Sequence, residues 1–344
     1  MAKAEEPPKV VVHNGPCNAS TALPVGGGMV VVADDEASPP VILRLYRSGQ
    51  GGPPLAVGTI AAEAVAPVPD EHPELDLEGS TWIGPLAYWI GSHGAAAAQT
   101  AAGGSAGKHK EGKKEEGLGA PRPNRQRLFA TSLGVRAEGK KLSLSLQPVG
   151  RPYTTLIHDL NADPRYARFG LAAAATRPAK AKGGLNIEGL ASTPQGALLI
   201  GFRNPLSEGR ALLATLLNPN GVLGGEAARF ADPVLLDLGG LGIRSLERVK
   251  SQLLIVAGPA EGGKGKPAPS ALYRWSGQFD ETPVRLHTFG PLDGAPINPE
   301  ALYMDSDSLV LLSDDGKLEK KGKTCEDLPN NQQSFREIRL KGLP

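Results

Sequence analysis

The sequence predicts an all-β protein that forms a single β-propeller, and three observations carry this prediction. Gly (44) and Pro (31) make up about 22% of the 344 residues, against an average of about 12%. Both residues destabilise helix interiors, so a long helical bundle is excluded. Hydrophobic residues at 40% suffice for a large core. They fall into short runs, and these runs repeat along the chain.

The apolar runs have the length and composition of β-strands. Most are five to seven residues long, rich in Val, Leu and Ile, and bounded by Gly, Pro, Asn or Asp. This pattern is typical of strands separated by turns. In chain order the runs are VVVHN, MVVVAD, ILRLYR, LAYWIGS, RLFATSL, ALLIGF, ALLATLL, VLLDL, LLIVAG, ALYRW, VRLHTF, SLVLLSD and REIRL.

A regular internal repeat organises these strands. LEGSTWIGPLAYWIG (77–91) aligns without a gap with IEGLASTPQGALLIG (187–201), and IRSLERVKSQLLIVA (243–257) and PEALYMDSDSLVLLS (299–313) share the frame. In each unit the second strand ends a fixed number of residues after the first begins. With the same spacing, CNAS and MVVVA form a further unit that starts at Ser20. The last three units begin at equal intervals, and a period of this length with about four strands is typical of a propeller blade. Five units are visible.

Two insertions lengthen the interval between the second and third of these units. Residues 95–124 are of low complexity and rich in charge, which predicts a flexible loop. Residues 161–177 predict a helical insertion, with Asp163 as its N-cap and Pro164 in its first turn. Either one large blade or one blade and a degenerate sixth fits this interval, so the sequence predicts five or six blades.

The two ends of the chain supply the strands that close the ring. An open propeller would expose unpaired strand edges. Residues 9–13 and 335–340 are both short and β-rich, so we expect them to pair within the last blade. The whole chain, residues 1–344, is then one propeller domain.

Polar side chains gather at one face of the predicted ring. The first strand of a blade starts where the antiparallel second strand ends, so these two positions share a face. The strand starts supply Ser20, Glu78, Glu188, Arg244 and Glu300. The second-strand exits supply Asp34, Asp35, Glu36, Ser92, His93, Arg203, Asn204, Asp314 and Asp315.

Glu78, Glu188 and Glu300, with Asp34 or Asp314, are the candidate ligands of a metal ion. A ring of buried carboxylates loses hydration and repels itself unless something compensates its charge. A divalent cation, Ca²⁺ in preference to Mg²⁺, is one compensation, and Arg203 and Arg244 offer another. Alternatively, each glutamate accepts backbone N–H bonds from the neighbouring blade and has a purely structural role.

His93 is a candidate general base or metal ligand. It follows Ser92 in the sequence GSHG at the face where the carboxylates gather, and histidine changes charge near neutral pH. The alternative interpretation is a hydrogen-bonded loop histidine.

Several blocks of the sequence resemble a bacterial family of uncharacterised domains, known only as a domain of unknown function. These blocks are CNAS, VVADDE, LEGSTWIGPLAYWIGSHG, LNIEGLA, LLIGFRNPL, LGIRSLE, YRWSG and NPEALYMDSDSLVLLSDDG. The resemblance covers nearly the whole chain outside residues 95–124 and implies a propeller with a polar face.

A shorter likeness joins NIEGLA to the EGLA element of the esterase-like phytase propellers. It implies Ca²⁺-dependent hydrolysis of phosphate or carboxyl esters, carried by Glu188 and, through the repeat, by Glu78 and Glu300. Arg244 and Asn18 depart from that pattern, which argues against a symmetric platform of several calcium ions.

The leading hypothesis is a metal-dependent hydrolase of a small anionic ester: a phosphoester, a lactone or a carboxyl ester. The cation would polarise the ester and activate water, Arg203 and Arg244 would neutralise developing charge, and His93 would move the proton. The competing hypothesis is a non-catalytic propeller that binds a ligand or a protein partner at this face. A third makes the glutamate ring structural.

Composition narrows the partners and the compartment. The net charge of +1 gives no global field for nucleic acid or an anionic membrane. Cys17 and Cys325 stand far apart and are interpreted as two separate thiols. The N-terminal MAKAEEPPK has no apolar stretch, and no run of about 20 apolar residues occurs in the sequence. These features predict a cytoplasmic protein.

Overall fold

The computed structural model describes residues 8–35, 41–65, 74–97, 118–262, 269–320 and 322–342. These residues form five antiparallel sheets of four strands each, and the innermost strand of each sheet contacts the innermost strands of both neighbours. The fold is therefore a five-bladed β-propeller, which confirms the all-β prediction and decides between five and six blades.

Blades 1 to 4 are built from consecutive strands, numbered from the inside outwards. Blade 1 contains β2 (Ala19–Gly26), β3 (Met29–Asp34), β4 (Val41–Arg47) and β5 (Ala56–Ile60). Blade 2 contains β6 (Leu77–Ile83), β7 (Leu86–Gly91), β8 (Leu128–Glu138) and β9 (Lys141–Tyr153). Blade 3 contains β10 (Asn186–Ser192), β11 (Leu198–Ser207), β12 (Arg210–Leu216) and β13 (Val234–Leu236). Blade 4 contains β14 (Gly242–Val249), β15 (Gln252–Gly258), β16 (Ala271–Trp275) and β17 (Val284–Thr288).

Blade 5 joins the two ends of the chain, as the sequence predicts. It contains β18 (Pro299–Asp305), β19 (Ser308–Ser313), β22 (Ser334–Lys341) and, at its outer edge, β1 (Lys9–Asn14). Strands β1 and β22 pair antiparallel from Lys9 opposite Arg339 to Asn14 opposite Ser334. A small hairpin, β20 (Glu319–Lys320) and β21 (Lys323–Thr324), lies between β19 and β22.

The helical insertion is less regular than the sequence predicts. The helices are α1 (Ala62–Val65), α2 (Leu156–Ala162), α3 (Leu171–Ala174) and α4 (Pro219–Leu223). The single helix expected over 161–177 is wrong: α2 ends where it should begin, and Asp163 is the C-cap of α2. Pro164 has no N–H to continue the helix. Among the described residues, no helix is long and apolar enough to cross a membrane.

Five hydrophobic clusters form the core, one between each pair of neighbouring blades. Strand β3 shows how a second strand serves two clusters at once. Val31 and Ala33 pack towards blade 2, whereas Val30 and Val32 pack towards blade 5. Because successive side chains of a strand point to opposite faces, burial on both faces explains the uninterrupted apolar run MVVVA.

A disulfide links Cys17 and Cys325, whose Cα atoms lie 6.0 Å apart. The expectation of two separate thiols is therefore wrong. Cys17 lies two residues before the innermost strand of blade 1, and Cys325 begins a short 3-10 helix that precedes β22 in blade 5. Ring closure brings these two blades together, so residues 308 positions apart in sequence become neighbours.

Candidate functional site

A β-bulge at the same position of all five innermost strands builds the site. In each of these strands the pairing register skips one residue. A bulge leaves one residue out of the ladder and changes the direction of its side chain. The skipped residues are Ser20, Glu78, Glu188, Arg244 and Glu300, which are the predicted strand starts. We call this end of the central channel the channel mouth.

The three glutamates of the channel mouth lie together and are buried. Carboxylate oxygens of Glu78, Glu188 and Glu300 lie within 4.8 Å of one another, and their residues are 8%, 2% and 7% exposed. Such a concentration of buried carboxyl groups requires compensating positive charge.

Arg203 and Arg244 compensate two of the three glutamates. Arg203 Nη1 lies 2.7 Å from Glu188 Oε1, and Arg244 Nε lies 3.3 Å from Glu188 Oε2. Arg244 also forms an ion pair and a hydrogen bond with Glu300. Burial opposes ionisation of Glu188, but the two guanidinium groups outweigh it and lower the pKa of that carboxyl group. We call Glu188, Arg203, Arg244 and Glu300 the arginine half of the mouth.

A second layer of polar side chains lies two residues before the bulge. Asn186 Nδ2 donates to Glu188 Oε1 at 2.7 Å, and Asn298 Nδ2 donates to Glu300 Oε1 at 3.0 Å. The corresponding residue of blade 2 is Asp76. Sequence reasoning missed this layer, although the spacing Asn/Asp-x-Glu at 76–78, 186–188 and 298–300 is visible in the repeat.

Glu78 is the exception among the buried glutamates. Within the described part of the chain it has no hydrogen bond and no ion pair, and its residue is 8% exposed. Burial, followed by the nearby charges of Glu188, Asp76 and Asp35, raises the pKa of Glu78 well above its usual value. Oxygens of Asp35, Asp76 and Glu78 form a second group within 4.8 Å. We call these three residues the acidic half.

Asp76 is held between a cation and a hydroxyl group. Arg125 Nη1 lies 3.0 Å from Asp76 Oδ2, and Ser92 Oγ donates a hydrogen bond to the same oxygen. Arg125 also binds Glu74 at 2.9 Å, so its charge is shared. Burial raises the pKa of Asp76 to about 6 in spite of Arg125.

The exits of the second strands contribute unequally. Asp35 lies beside Glu78. Asp34 belongs to neither carboxylate group, and its carboxylate lies 4.0 Å from Arg44 Nη1. Glu36 lies outside the described residues. Asp35, and not Asp34, therefore joins a carboxylate group of the mouth, and the cation ligand expected at Asp34 stays a prediction.

Asp314 lies beside the arginine half, whereas three other predicted residues have structural partners. Asp314 accepts from Asn298 Nδ2 at 2.9 Å and raises the pKa of Arg203, after the larger effects of burial and the glutamates. The other three bind neighbouring segments: Asp315 pairs with Arg336, Ser20 Oγ donates to the Leu77 carbonyl, and Asn204 Nδ2 donates to the carbonyls of Ala179 and Ala181.

His93 is buried and tied to its own strand. Its φ is +58°, its Nδ1 lies 2.8 Å from the Gly91 carbonyl oxygen, and no described hydrogen bond or ion pair joins it to the carboxylates. Burial lowers the pKa of His93 to about 4, so the ring is neutral at pH 7. These contacts fit the hydrogen-bonded loop histidine better than a general base at the mouth.

Residues 178–185 cross the rim of the mouth and present Lys180, which sequence reasoning also missed. Asn204 holds the carbonyls on both sides of Lys180, and the Gly262 N–H donates to the Lys180 carbonyl at 2.8 Å. The side chain of Lys180 is exposed. Its positive charge opposes the rise in the pKa of Asp76 and contributes to lowering the pKa of Glu188.

Fold and site together define a five-bladed propeller with a buried mouth of carboxylates and arginines. The chain belongs to the family described as "Protein of unknown function (DUF3616)", whose model matches residues 18–290. This confirms the family resemblance expected from the sequence. No curated protein matches the chain.

Solved structures with a similar course of the chain include glycoside hydrolases. A GH43 β-1,3-galactosidase has 8% identity and a TM-score of 0.45, with 97% of this chain and 59% of that chain covered. An exo-β-1,3-galactanase from Phanerochaete chrysosporium has 7% identity and a TM-score of 0.44, with 96% and 64% covered. The α-L-arabinanase of Cellvibrio cellulosa has 9% identity and a TM-score of 0.43, with 93% and 91% covered.

These similarities do not extend to activity. The chain spans less than two thirds of the length of the first two enzymes. Identities of 8%, 7% and 9% with TM-scores no higher than 0.45 carry no argument about substrates. None of these comparisons supports the likeness to esterase-like phytase propellers. The function must be argued from the site itself.

Proposed function

We propose that the channel mouth binds a small anionic ester together with a divalent cation and hydrolyses the ester. The substrate class is a phosphoester, a lactone or a carboxyl ester, as the sequence suggests. The observation that carries the proposal is Glu78, a carboxyl group buried among four other acidic side chains without a hydrogen bond or ion pair to any described residue. A buried anion of this kind needs a bound cation or a proton.

The two halves of the mouth suit the two parts of such a complex. The carboxylates offer oxygen ligands of the type that Ca²⁺ and Mg²⁺ prefer. Arg203, Arg244 and the exposed Lys180 place positive charge beside these carboxylates, where an anionic group would be stabilised. A bound cation would supply Lewis acidity and a water of lowered pKa. In this proposal the anion binds beside the arginines and the cation binds to carboxylate oxygens.

A binding module without catalysis is the second candidate, and one observation favours it. The guanidinium groups of Arg203 and Arg244 already bind Glu188 and Glu300, and no described hydrogen bond or ion pair brings a histidine to the mouth carboxylates. A site built this way can hold an anionic ligand or a protein side chain without a group to transfer its proton.

Hydrolysis assays with and without metal separate these candidates. The full chain is treated with EDTA, desalted, and assayed with p-nitrophenyl phosphate, p-nitrophenyl acetate and a γ-lactone, before and after addition of CaCl₂. Hydrolysis predicts turnover that requires Ca²⁺ and that Glu78→Gln reduces by on the order of 100-fold. Glu247→Gln, the same substitution on β14 outside the mouth, is the matched control and should retain the activity.

The remaining outcomes of these assays are equally informative. A ligand-induced rise in the melting temperature without turnover would replace hydrolysis with the binding module. Turnover that is unchanged by both EDTA and Glu78→Gln would show that hydrolysis does not use the mouth. If neither turnover nor a thermal shift occurred on this panel, the proposal of a small-ester site would be overturned.

A further inference from the structure

In blade 2 the residue two positions before the bulged glutamate differs from the residue at that position in blades 3 and 5. In blades 3 and 5 the bulged glutamate receives a hydrogen bond from an asparagine two residues earlier, Asn186 to Glu188 and Asn298 to Glu300. In blade 2 this position is Asp76. An ionised carboxylate cannot donate a hydrogen bond, so Glu78 lacks the partner that the equivalent glutamates have.

The neighbouring cations do not replace this missing partner. Arg203 and Arg244 bind Glu188 and Glu300, and no described ion pair joins either arginine to Glu78. Arg125 reaches Asp76 and divides its charge with Glu74, a carboxylate outside the acidic half. The charge of Arg244 acts to lower the pKa of Glu78, but burial and the neighbouring acids outweigh it. The buried carboxyl group of Glu78 therefore lies beside Asp76 without an ion pair among the described residues.

We propose that Asp35, Asp76 and Glu78 bind one divalent cation of the Ca²⁺ type, and that this is the cation of the mouth. This assignment rests on the proposed function and narrows it, because it removes Glu188, Glu300 and Asp314 from the set of direct ligands. Asp76 has two roles in this site. As an ionised carboxylate it donates no hydrogen bond to Glu78, and it supplies an oxygen ligand itself.

The spacing of the oxygens fits a single ion. The oxygens of the three residues lie within 4.8 Å of one another. Ca²⁺ binds oxygen at about 2.3–2.6 Å, so two ligands on opposite sides of one ion are roughly 4.6–5.2 Å apart. Ca²⁺ also accepts irregular sets of ligands, whereas Mg²⁺ requires a near-octahedral set. Glu78 lies at a bulge, Asp76 directly precedes β6, and Asp35 directly follows β3. These three carboxylates therefore form an irregular set.

Calcium binding by the full chain, measured without any substrate, tests this site. EDTA-treated protein is titrated with CaCl₂ at pH 7 in a calorimeter, and its melting temperature is recorded with and without Ca²⁺. We expect binding of one ion and a Ca²⁺-dependent rise in melting temperature. Asp76→Asn restores the asparagine of blades 3 and 5, so it should weaken Ca²⁺ binding at least tenfold and reduce the Ca²⁺-dependent rise in melting temperature.

Asp314→Asn is the matched control, since it removes an acidic side chain that lies beside the arginine half and is not one of the three proposed ligands. It should bind Ca²⁺ as tightly as the wild type. If Asp76→Asn fails to fold, Asp35→Asn removes another of the three ligands and should weaken binding in the same way.

Two results would overturn the site. A wild-type protein that takes up no Ca²⁺ would show that a proton neutralises Glu78. Unchanged Ca²⁺ affinity in Asp76→Asn and Asp35→Asn would place the ion elsewhere. Because the titration contains no ester, a protein that binds Ca²⁺ at this site but hydrolyses nothing would remove the proposed hydrolysis and leave the metal site in place.

Discussion

The environment of a buried glutamate at the channel mouth depends on the residue two positions before it. Glu188 and Glu300 each have an amide donor at that position, together with at least one guanidinium group. Glu78 has Asp76 there instead, and burial and neighbouring acids raise its pKa. The repeat makes the three glutamates appear equivalent in sequence, but the residue two positions earlier and the ion pairs with arginine separate their chemistry.

Glu247 on β14 is a half-buried residue that lies away from the mouth. It lies three positions after the bulged residue of its innermost strand. In blades 1, 3 and 5 the same position holds Leu23, Ala191 and Tyr303, as the pairing registers show. These three residues are buried in the clusters between blades. The same apolar surroundings enclose the carboxyl group of Glu247, and this burial raises its pKa to about 8.

Because the folded-state pKa of Glu247 exceeds the unfolded value, its contribution to stability depends on pH. The neutral carboxyl group is tolerated below about pH 4.5, and stability is lost as the pH rises from there through 8. We expect Glu247→Gln to increase the free energy of unfolding at pH 8.5 by on the order of 1 kcal/mol and to change it little at pH 4. Urea denaturation at both pH values measures the difference.

Glu138→Gln is the control for this experiment, because Glu138 is an exposed glutamate at the end of β8. It should leave the unfolding curve unchanged at both pH values. A Glu247→Gln protein that is destabilised at pH 8.5 would show that the carboxylate has a stabilising partner in solution.

The β-bulge is the element that converts a linear repeat into a site. It lies at the same position in all five innermost strands, so side chains from successive repeats meet at one end of the channel. In blades 2 and 3 a glycine follows the bulged glutamate. A Cβ atom on Gly79 would lie 2.7 Å from Leu190 Cβ and 3.0 Å from Ile90 Cγ2. The close approach of the two blades therefore requires glycine.

Substitution of Gly79 tests how tightly the blades pack beside the bulge. Gly79→Ala places a methyl group against Leu190 and Ile90, and overpacking of this kind costs about 1–3 kcal/mol. We expect a corresponding loss of stability in urea denaturation. Gly290→Ala is the control, because a Cβ there meets no atom within 4 Å, and it should change stability by less than about 0.5 kcal/mol. Equal stability of the two variants would contradict the packing argument.

At the scale of the whole molecule, the sequence predicts what the repeat encodes. The regular period identifies the blades, and the aligned positions identify Glu78, Glu188, Arg244 and Glu300 at the mouth. The ends of the chain could be paired because an open ring exposes edges. The one-helix interpretation of the insertion failed because short helical segments separated by turns give no clear period.

Side-chain partners at the mouth could not be predicted in the same way. Whether Asp34 or Asp35 lies towards Glu78 depends on the exact register at the end of β3. A shift of one residue there moves a side chain to the opposite face of the sheet. Lys180 reaches the mouth on a loop that the repeat does not contain. The disulfide joins residues 308 positions apart. The spacing of the two cysteines in the sequence does not predict this bond, because closure of the ring brings them together.

The Cys17–Cys325 disulfide supplies a second closure of the ring besides the pairing of β1 with β22. Both cysteines are buried, with 3% and 0% exposure. A cross-link stabilises chiefly by restricting the unfolded chain, and its loss typically costs about 2–5 kcal/mol. Disulfides persist in oxidising compartments and are rare in the cytoplasm. The cytoplasmic location expected from the sequence stays a prediction, and the oxidation state of this bond in cells gives a way to test it.

Removal of the disulfide should weaken the ring without opening it, because the pairing of β1 with β22 remains. We expect a Cys17→Ser, Cys325→Ser double variant to lose about 2–5 kcal/mol in urea denaturation while keeping its β-sheet circular dichroism. Dithiothreitol should destabilise the wild type to the same extent and leave the double variant unchanged, which controls for effects of the reductant. Thiol titration of unreduced, denatured protein isolated from its native cells should detect no free thiol. Two free thiols would contradict the bond.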